Sequence, residues 1–464
     1  MQTFQDYKEF TGTQAEFIKK AISEYKADDL YKTACIADEY DRQENRTIKE
    51  YARYLYTMDG AKVANFTVSN NRIASNFFNR LNTQRCTYSL GNGIEFSDKA
   101  IKKNFGDKFD TVMQEAGYYS LIHGVSYLYR GDGFYCFKAT EVVPLCDEHS
   151  GALCAAIRFW KLAENKPMVV TFYEGDGYTE YQENEEKKLT PQSGKKPYVV
   201  KTQYTEAFGL EIVGTENYSR LPLIPLWGSR LKQSTLVGLC SAIDSYDLIR
   251  SGFANDLSDC AQIYWLLQNA GGMSDNDLNK FRDRLLLNHI ASTSSEDTTV
   301  TPYTQEIPYQ AREQYLQTIR AEIYEGFGGL DVHTIAAGAT NDHIDAAYQP
   351  LDENADDFEK QIIECVQAIG ELLGLDSKKC IPIFKRNRIA NYTQKIDALM
   401  QLSQYLDQRT ILEKSDIVTV DEVDTIMKRT AAEEQAKVVD LRSELEGIRT
   451  ETNKTGDLTD GQSA

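Results

Sequence analysis

Paired cysteines, metal-ligand spacings and long apolar runs are all missing from this chain. Nine cysteines are scattered over 464 residues, an odd number with no CxxC pair. That argues against a disulfide framework or a zinc site and for reduced thiols in a cytoplasm. The five histidines, His123, His149, His289, His333 and His343, never fall into HxxxH or HExxH. No uncharged apolar stretch approaches the ~18 residues that a membrane helix needs. Cys260 to Met273 is uncharged, but it is short and contains Gln and Asn. The first ten residues already carry Asp6, Lys8 and Glu9, so no secretory h-region is expected there.

Enzyme motifs are equally scarce. No GxxxxGK[ST] occurs, which leaves an ATPase without its phosphate loop. Three GxG pairs, Gly91/Gly93, Gly131/Gly133 and Gly175/Gly177, lack the third glycine of a dinucleotide loop. Gly124-Val125-Ser126-Tyr127-Leu128 begins like a nucleophile elbow and lacks its closing glycine. Asp275-Asn276-Asp277 begins like a calcium loop, but Lys280 and Leu286 stand where Gly and the bidentate Glu belong. No catalytic residue, metal ligand or cofactor is therefore expected. A nuclease built on scattered carboxylates has no supporting spacing.

Basic charge is in deficit too. Lys and Arg number 51 against 70 Asp and Glu, a net of −19. Such a chain cannot neutralise phosphates over its whole surface, so any contact with nucleic acid is local or non-adhesive. One basic run exists: Lys378, Lys379, Lys385, Arg386 and Arg388. It fits either a phosphate contact or a solvated loop before a helix.

What the chain does have is long amphipathic segments. From Leu239 to Asn269, apolar residues recur every three or four positions: Leu239, Ile243, Tyr246, Ile249, Phe253, Leu257, Cys260, Tyr264 and Leu267. That spacing predicts one helix roughly 45 Å long. Its other face is polar, with Asp244, Asp247, Arg250, Asn255, Asp256 and Asp259. A return helix is predicted over Tyr309 to Phe327, opened by Pro308 and broken by Gly326, Gly328 and Gly329. Between them a short helix over Ser274 to Leu287 and strands at His289–Ser294 and Thr299–Gln305 form a small excursion. A third long helix is expected from about His343 to Leu373, with Pro350 kinking it or marking its first turn.

The first 225 residues change period along the way. Helices are expected at Ala15–Tyr25, Thr47–Tyr56, Asn70–Leu81 and Asp107–His123. Gly131-Asp132-Gly133 and Glu174-Gly175-Asp176-Gly177 are hairpin turns between aromatic-rich strands. Glu183 to Lys196 reads as a charged loop without strand, and Leu221 to Leu226 as an extended linker. The fold class is α+β, with a mostly antiparallel meander. Helical pieces at Asn391–Tyr405, Thr410–Lys414 and Val420–Lys437 precede a polar tail.

The order of these segments resembles the portal proteins of tailed double-stranded DNA bacteriophages, in particular the siphophage and prophage family of Gram-positive hosts. The likeness rests on Tyr88-Ser89-Leu90-Gly91-Asn92, on Tyr119 to Tyr127 with His123-Gly124, and on Val142-Val143-Pro144-Leu145-Cys146-Asp147 with Ile157-Arg158-Phe159. It continues through Leu221 to Leu226 and Phe384-Lys385-Arg386-Asn387. The stretch Ile243-Asp244-Ser245-Tyr246-Asp247-Leu248-Ile249-Arg250-Ser251, followed by Asn255-Asp256, is similar to the family's stem-helix signature. Gly338-Ala339-Thr340-Asn341 departs from the family's Ser-Gly pair before the third long helix.

The resemblance implies a portal-type subunit: an α+β wing domain (1–225), a long-helix stem hairpin (226–270 and 309–329) and a small α/β clip (271–308). It further implies a tunnel loop (330–342), a long wing-to-crown helix (343–374), a helical crown (375–448) and a disordered tail (449–464). Subunits would form a ring, commonly of twelve, at one capsid vertex of the virion after assembly in the host cytoplasm. Double-stranded DNA would pass through it. Partners would be the terminase large subunit, a head-completion adaptor, and the major capsid and scaffold proteins, with no membrane. The tunnel loop would present Asp331, His333, Thr334, Ile335, Thr340, Asn341 and His343 to DNA. Clip docking would involve His289, Ser292, Ser294, Glu296, Asp297, Thr299 and Thr301. From Leu239 to His343 there are 15 acidic and 6 basic residues, a net of −9, which fits a conduit that repels what it conducts. The alternative is another oligomeric virion scaffold or adaptor without DNA passage.

Overall fold

A computed structural model describes residues 2–64, 69–205, 209–259, 264–268, 274–288, 299–303, 308–334, 340–386, 388, 400–401, 406–414, 423–433, 435 and 437. The chain is α+β and divides into two units. The first comprises residues 1–334 and 348–387, the second 335–347 and 388–464. Among the described residues no helix is long and apolar enough to cross a membrane.

The first unit begins with helices α1 (Phe4–Glu9), α2 (Gln14–Ala27), α3 (Asp29–Asp41) and α4 (Arg46–Lys49). Thr3 with Asp6, and Thr13 with Glu16, form capping boxes that satisfy the first free amides of α1 and α2. A two-stranded hairpin follows, β1 (Tyr54–Tyr56) with β2 (Lys62–Ala64). Next come α5 (Phe77–Leu90), β3 (Ile94–Phe96), α6 (Lys99–Phe105) and α7 (Phe109–His123). Gly124 ends α7 at φ +91°, the left-handed region open to glycine. The helix expected over Asn70–Leu81 begins only at Phe77, and the one over Thr47–Tyr56 stops at Lys49.

Three antiparallel sheets build the middle of the unit. β4 (Val125–Arg130) pairs with β5 (Phe134–Lys138) across the Gly131-Asp132-Gly133 turn. β6 (Val142–Cys146), β7 (Leu153–Trp160), β8 (Val169–Glu174), β9 (Gly177–Glu183) and β10 (Leu189–Pro191) form a five-stranded meander in chain order. β10 lies in the segment expected to be strandless. β11 (Val199–Thr205) and β12 (Gly209–Glu216) make a separate hairpin. The expected linker is itself a strand, β13 (Leu223–Trp227), paired with β4. Its alternation hid in an all-apolar run because both of its faces have neighbours in the core.

The expected long helix is shorter than its periodicity. α8 spans Cys240–Asp259, and Tyr264–Gln268 is strand β14. β14 pairs with β15 (Thr299–Tyr303) beyond α9 (Asp275–Asn288). Tyr264 and Leu267 continued the helical spacing by coincidence; Tyr-Trp-Leu-Leu is equally a strand sequence. α10 (Tyr309–Phe327) returns and ends in a Schellman pair. Gly328 sits at φ +65°, Gly328 N donates to Glu325 O at 3.0 Å, and Gly329 N donates to Tyr324 O at 2.8 Å. α11 (Asn341–Leu372) contains Pro350, and β16 (Pro382–Phe384) pairs with β3.

Burial explains the packing. Phe17, Ile18, Ala21, Ile22 and Tyr25 of α2 lie on the inner face of the five-stranded sheet, against Val143, Ile157, Val170 and Phe172. The stripe Phe358, Ile362, Cys365, Val366, Ile369 and Leu372 of α11 packs on Phe105, Phe109, Met113 and Leu121 of α6 and α7. Ile243 of α8 and Ile319, Ile323 and Phe327 of α10 meet Tyr40, Phe78 and Leu81.

α8 buries polar residues as well. Asp247, Ser251 and Asn255 are at most 1% exposed. Each accepts a backbone N–H from the extended segment before α5. Ser75 N donates to Asp247 Oδ1 at 2.9 Å, Ile73 N to Ser251 Oγ at 3.0 Å, and Asn71 N to Asn255 Oδ1 at 2.5 Å. Ser69 N adds a fourth rung, to Asp259 Oδ1 at 3.1 Å. The spacing matches: four helical residues rise about 6.0 Å, and two extended residues span about 6.6 Å. The helix thus satisfies every second amide of a segment that has no strand partner among the described residues.

The ladder also reaches α3 and α4. Asn45 Nδ2 donates to Asp247 Oδ2, Tyr40 OH to Asp244 Oδ1, and Thr47 Oγ1 to Asp244 Oδ2 at 2.8 Å. Arg53 closes the far end on Asp259 Oδ2 and on Ser69 O at 3.3 Å. Burial raises the Asp247 carboxyl above its ordinary value, against the pull of the Asn45 and Ser75 bonds. Its stabilising contribution is complete below the unfolded value and is lost as pH rises through the raised folded value. Asp259, held low chiefly by Arg53, behaves oppositely: its contribution is present above the unfolded value and fades as pH falls through the folded one. Asp247→Ala leaves the buried Ser75 N–H without an acceptor and removes one of the two acceptors of Asn45 Nδ2, and is expected to cost about 2–3 kcal/mol. Urea denaturation of the purified chain measures it; a loss below about 0.5 kcal/mol, the level of a neutral surface change, would contradict the ladder's role.

Candidate functional site

Three sets of residues and one helix surface bear on function. Asp331 follows the glycine break after α10. Its carboxylate pairs with Arg320 of α10, Oδ2 to Nε at 3.0 Å and Oδ1 to Nη2 at 3.1 Å. It also accepts the His333 N–H at 3.1 Å. Burial works against its charge, but the Arg320 and His333 bonds outweigh that and hold it below the usual carboxylate value. His333 and Thr334 complete one 3₁₀ turn with Val332, and His333 is exposed. Asp331 is therefore the anchor of this turn on α10. Ile335 lies outside the described residues. Thr340, Asn341 and His343 belong to the second unit, where α11 starts at Asn341 and Thr340 Oγ1 lies 3.1 Å from His343 Nδ1.

Of the seven docking candidates, His289, Ser292, Ser294, Glu296 and Asp297 lie outside the described residues. Thr299 and Thr301 are in β15, opposite Gln268 and Leu266 of β14.

The basic run is divided among different partners. Arg386 sits over α11, where Asp352, Asp356 and Glu359 line one face at helical spacing. Its Nε and Nη2 hold Glu359 at 3.0 and 2.8 Å, Nη1 holds Asp352 at 3.0 Å, and Nη2 also meets Asp356. Tyr88 joins by donating to Asp352 at 2.7 Å. These bonds, Glu359's first, raise the Arg386 guanidinium still further above its ordinary value. Lys385 pairs with Glu95 at 2.9 Å. In the second unit Arg388 pairs with Asp345 at 3.2 Å. Lys378 and Lys379 are exposed beside Asp376, whose side chain accepts the Lys378 N–H at 3.1 Å. Arg386 thus locks the chain after β16 onto α11, a role the sequence run did not reveal.

The outward side of α8 completes the picture. With its polar stripe turned inward, apolar residues remain at the surface: Leu257 is 55% exposed, and Ile249 and Phe253 are half-buried. On α10, Tyr309 and Tyr315 are exposed as well. Asp256 pairs with Arg312 of α10 at 2.5 Å and ties the two helices together. Of the acidic residues in this region, Asp256, Asp259 and Asp331 are ion-paired with Arg312, Arg53 and Arg320, while Asp244 and Asp247 accept hydrogen bonds from neutral donors. Among the described residues no group of three or more His, Cys, Asp or Glu is arranged to hold a metal ion.

Known proteins share this chain's pattern along nearly its whole length. A family model described as phage portal protein, SPP1 Gp6-like, matches residues 14–439. The chain belongs to that family: it is a phage portal protein of the SPP1 Gp6-like kind. Two curated relatives are each named portal protein. The one from Bacillus phage SPP1 is 23% identical over 436 residues, covering 85% of this chain and 81% of its own. The one from Clostridium phage phiCD119 is 28% identical over 205 residues, 41% of this chain, and the match spans 46% of that protein's length.

Removing Arg386 leaves Asp352, Asp356 and Glu359 facing one another. Arg386→Ala is expected to cost about 1–2 kcal/mol at pH 7, less than a fully buried pair because water screens part of the site. The loss should shrink in about 1 M salt, which screens the repulsion among the three carboxylates. Denaturation midpoints at low and high salt check this; an equal loss at both would contradict the charge explanation.

Proposed function

We propose that the chain is the subunit of a homo-oligomeric ring at one capsid vertex, a structural conduit for double-stranded DNA during packaging and ejection. The observation that carries the ring is the inverted α8. A helix that satisfies its polar stripe within its own subunit, and leaves Leu257 and Phe253 outward, is suited to packing against an identical neighbour. Membership of the portal family supports the same reading and a place in the virion.

In this reading, α8 and α10 are the stem and residues 1–225 the wing. The clip takes in β14 through β15, about residues 264–303, because the two strands form one ladder. Residues 330–342 are the tunnel loop, braced at its start by Asp331 on Arg320. Residues after about 375 are the crown, with Lys378 and Lys379 as its candidate phosphate contacts. The terminase large subunit and the head-completion adaptor would dock at the clip, and the major capsid and scaffold proteins around the ring. Assembly takes place in the host cytoplasm. No catalytic step is assigned; the motor's ATPase is a separate partner.

Negative-stain microscopy of the purified full-length chain tests the ring. The expected result is rings with a channel wide enough for duplex DNA. Monomers, filaments or closed discs would contradict it; discs would favour the scaffold or adaptor reading. A second test addresses docking. Deleting residues 289–305 should leave rings intact and abolish packaging in a complementation assay. Packaging by the deletion variant would remove the clip assignment.

A further inference from the structure

Among the described residues β6 is an edge strand of the five-stranded sheet, and the turn from β6 into β7 holds α1. Thr3 Oγ1 donates to Glu148 Oε1 at 2.8 Å, Gln5 Nε2 to Asp147 Oδ1 at 2.5 Å, and Glu148 N to Gln5 Oε1 at 3.2 Å. Asp147 also orders the turn itself by accepting the N–H groups of His149 and Ser150. A cysteine stands on each side of this turn, Cys146 in β6 and Cys154 in β7, both half-buried with free thiols. The register slips between them. Leu145 faces Ala155, but Cys146 faces Leu153, so Cys154 is the extra residue of a β-bulge. A bulge sets two residues of one strand against one of the other, which puts Cys154 beside Leu153 across from Cys146.

Opposed residues of an antiparallel ladder have Cα atoms about 4.5–5.5 Å apart, inside the range of roughly 4.4–6.8 Å that a disulfide bridges. The two thiols also sense each other. Burial raises the Cys146 thiol above its ordinary value, the Cys154 thiol adds to that, and the Lys232 ammonium takes part of it back. We propose that Cys146 and Cys154 are a redox-sensitive pair, open in reducing surroundings and closed into an intrachain disulfide by a small disulfide oxidant of the glutathione kind. One protein thiolate attacks the oxidant's S–S bond and releases a glutathione thiolate. The second attacks the mixed disulfide so formed and releases the other. The two protons lost by the cysteines end on the two released glutathiones, and one S–S bond is exchanged for another. Closure staples the edge strand to β7 and fixes the turn that holds α1.

The test uses the full-length chain in glutathione buffers. Trypsin releases both cysteines in one peptide, residues 139–158, and cleavage after Glu148 separates them. With oxidised glutathione in excess, this peptide is expected to lose two hydrogens in mass and to resist alkylation, and its halves should stay joined until reduced. At redox equilibrium the closed form should be favoured at least ~tenfold more in the folded chain than in the same chain in urea, as for a bridge that the native state accommodates. By the same linkage the closed chain should unfold at a higher urea concentration than the open one.

Cys154→Ser keeps the size of the side chain and removes the bridge, so it should abolish the oxidation-dependent rise in the urea midpoint. A rise that persists in this variant would trace the effect to other thiols and overturn the proposal. Thiols that stay open in excess oxidant, a peptide carrying two glutathiones, or a bridge from either cysteine to a third one or to a second chain would each overturn it as well. So would closure no more favoured in the folded chain than in urea.

Discussion

An extended segment cannot be buried unless its amides find acceptors. Residues 69–75 are buried in part, pair with no strand among the described residues, and depend on side chains of α8 for those acceptors. That requirement fixes which way α8 faces. Asp247, Ser251, Asn255 and Asp259 must point into the subunit, and so the opposite stripe must point out. The same helix positions α3 and α4 through Tyr40, Asn45 and Thr47. It thereby joins the amino-terminal helices, the chain entering α5 and the return helix α10, which it meets through Ile243 and through Asp256 with Arg312.

An orientation set by hydrogen bonds is harder to invert than one set by apolar contact. Turning α8 around would strand four backbone donors and a buried carboxylate, each worth about 1–3 kcal/mol. The outward apolar residues are thus a fixed property of the subunit. For a member of the phage portal family this is the arrangement that a ring needs: internal order held by polar ladders and Arg386-type cages, with apolar area left for neighbours. Arg386 repeats the device on α11, gathering three carboxylates of one helix face onto the chain that follows β16.

The sequence carried the broad plan. The hairpin turns at Asp132 and Asp176, the end of α7 at Gly124, the meander, α10 and α11 were all readable from turn chemistry and period. So was the family, through the order of short segments such as Ile243 to Ser251. The inner and outer faces of α8 were not. Periodicity marks a polar stripe and an apolar stripe but assumes that the apolar one is buried, and here Asp247 is buried while Leu257 is exposed. The four-residue spacing of Asp247, Ser251, Asn255 and Asp259 was the available signal, short acceptors on one line. It gains meaning only once an unpaired extended segment lies beside it. The end of α8 was misplaced because Tyr264 and Leu267 kept the helical spacing inside a strand. Arg386 looked like part of a free basic run because its three partners are 27 to 34 residues away in sequence.

The most direct measurement is a structure of the assembled protein by electron cryomicroscopy. Leu257, Phe253 and Tyr315 are expected to lie against a second copy, while Asp247, Ser251 and Asn255 still hold the amides of Ser75, Ile73 and Asn71 in their own subunit. An assembly in which that polar stripe is released to face the channel or a neighbour, with Leu257 turned into its own core, would contradict it.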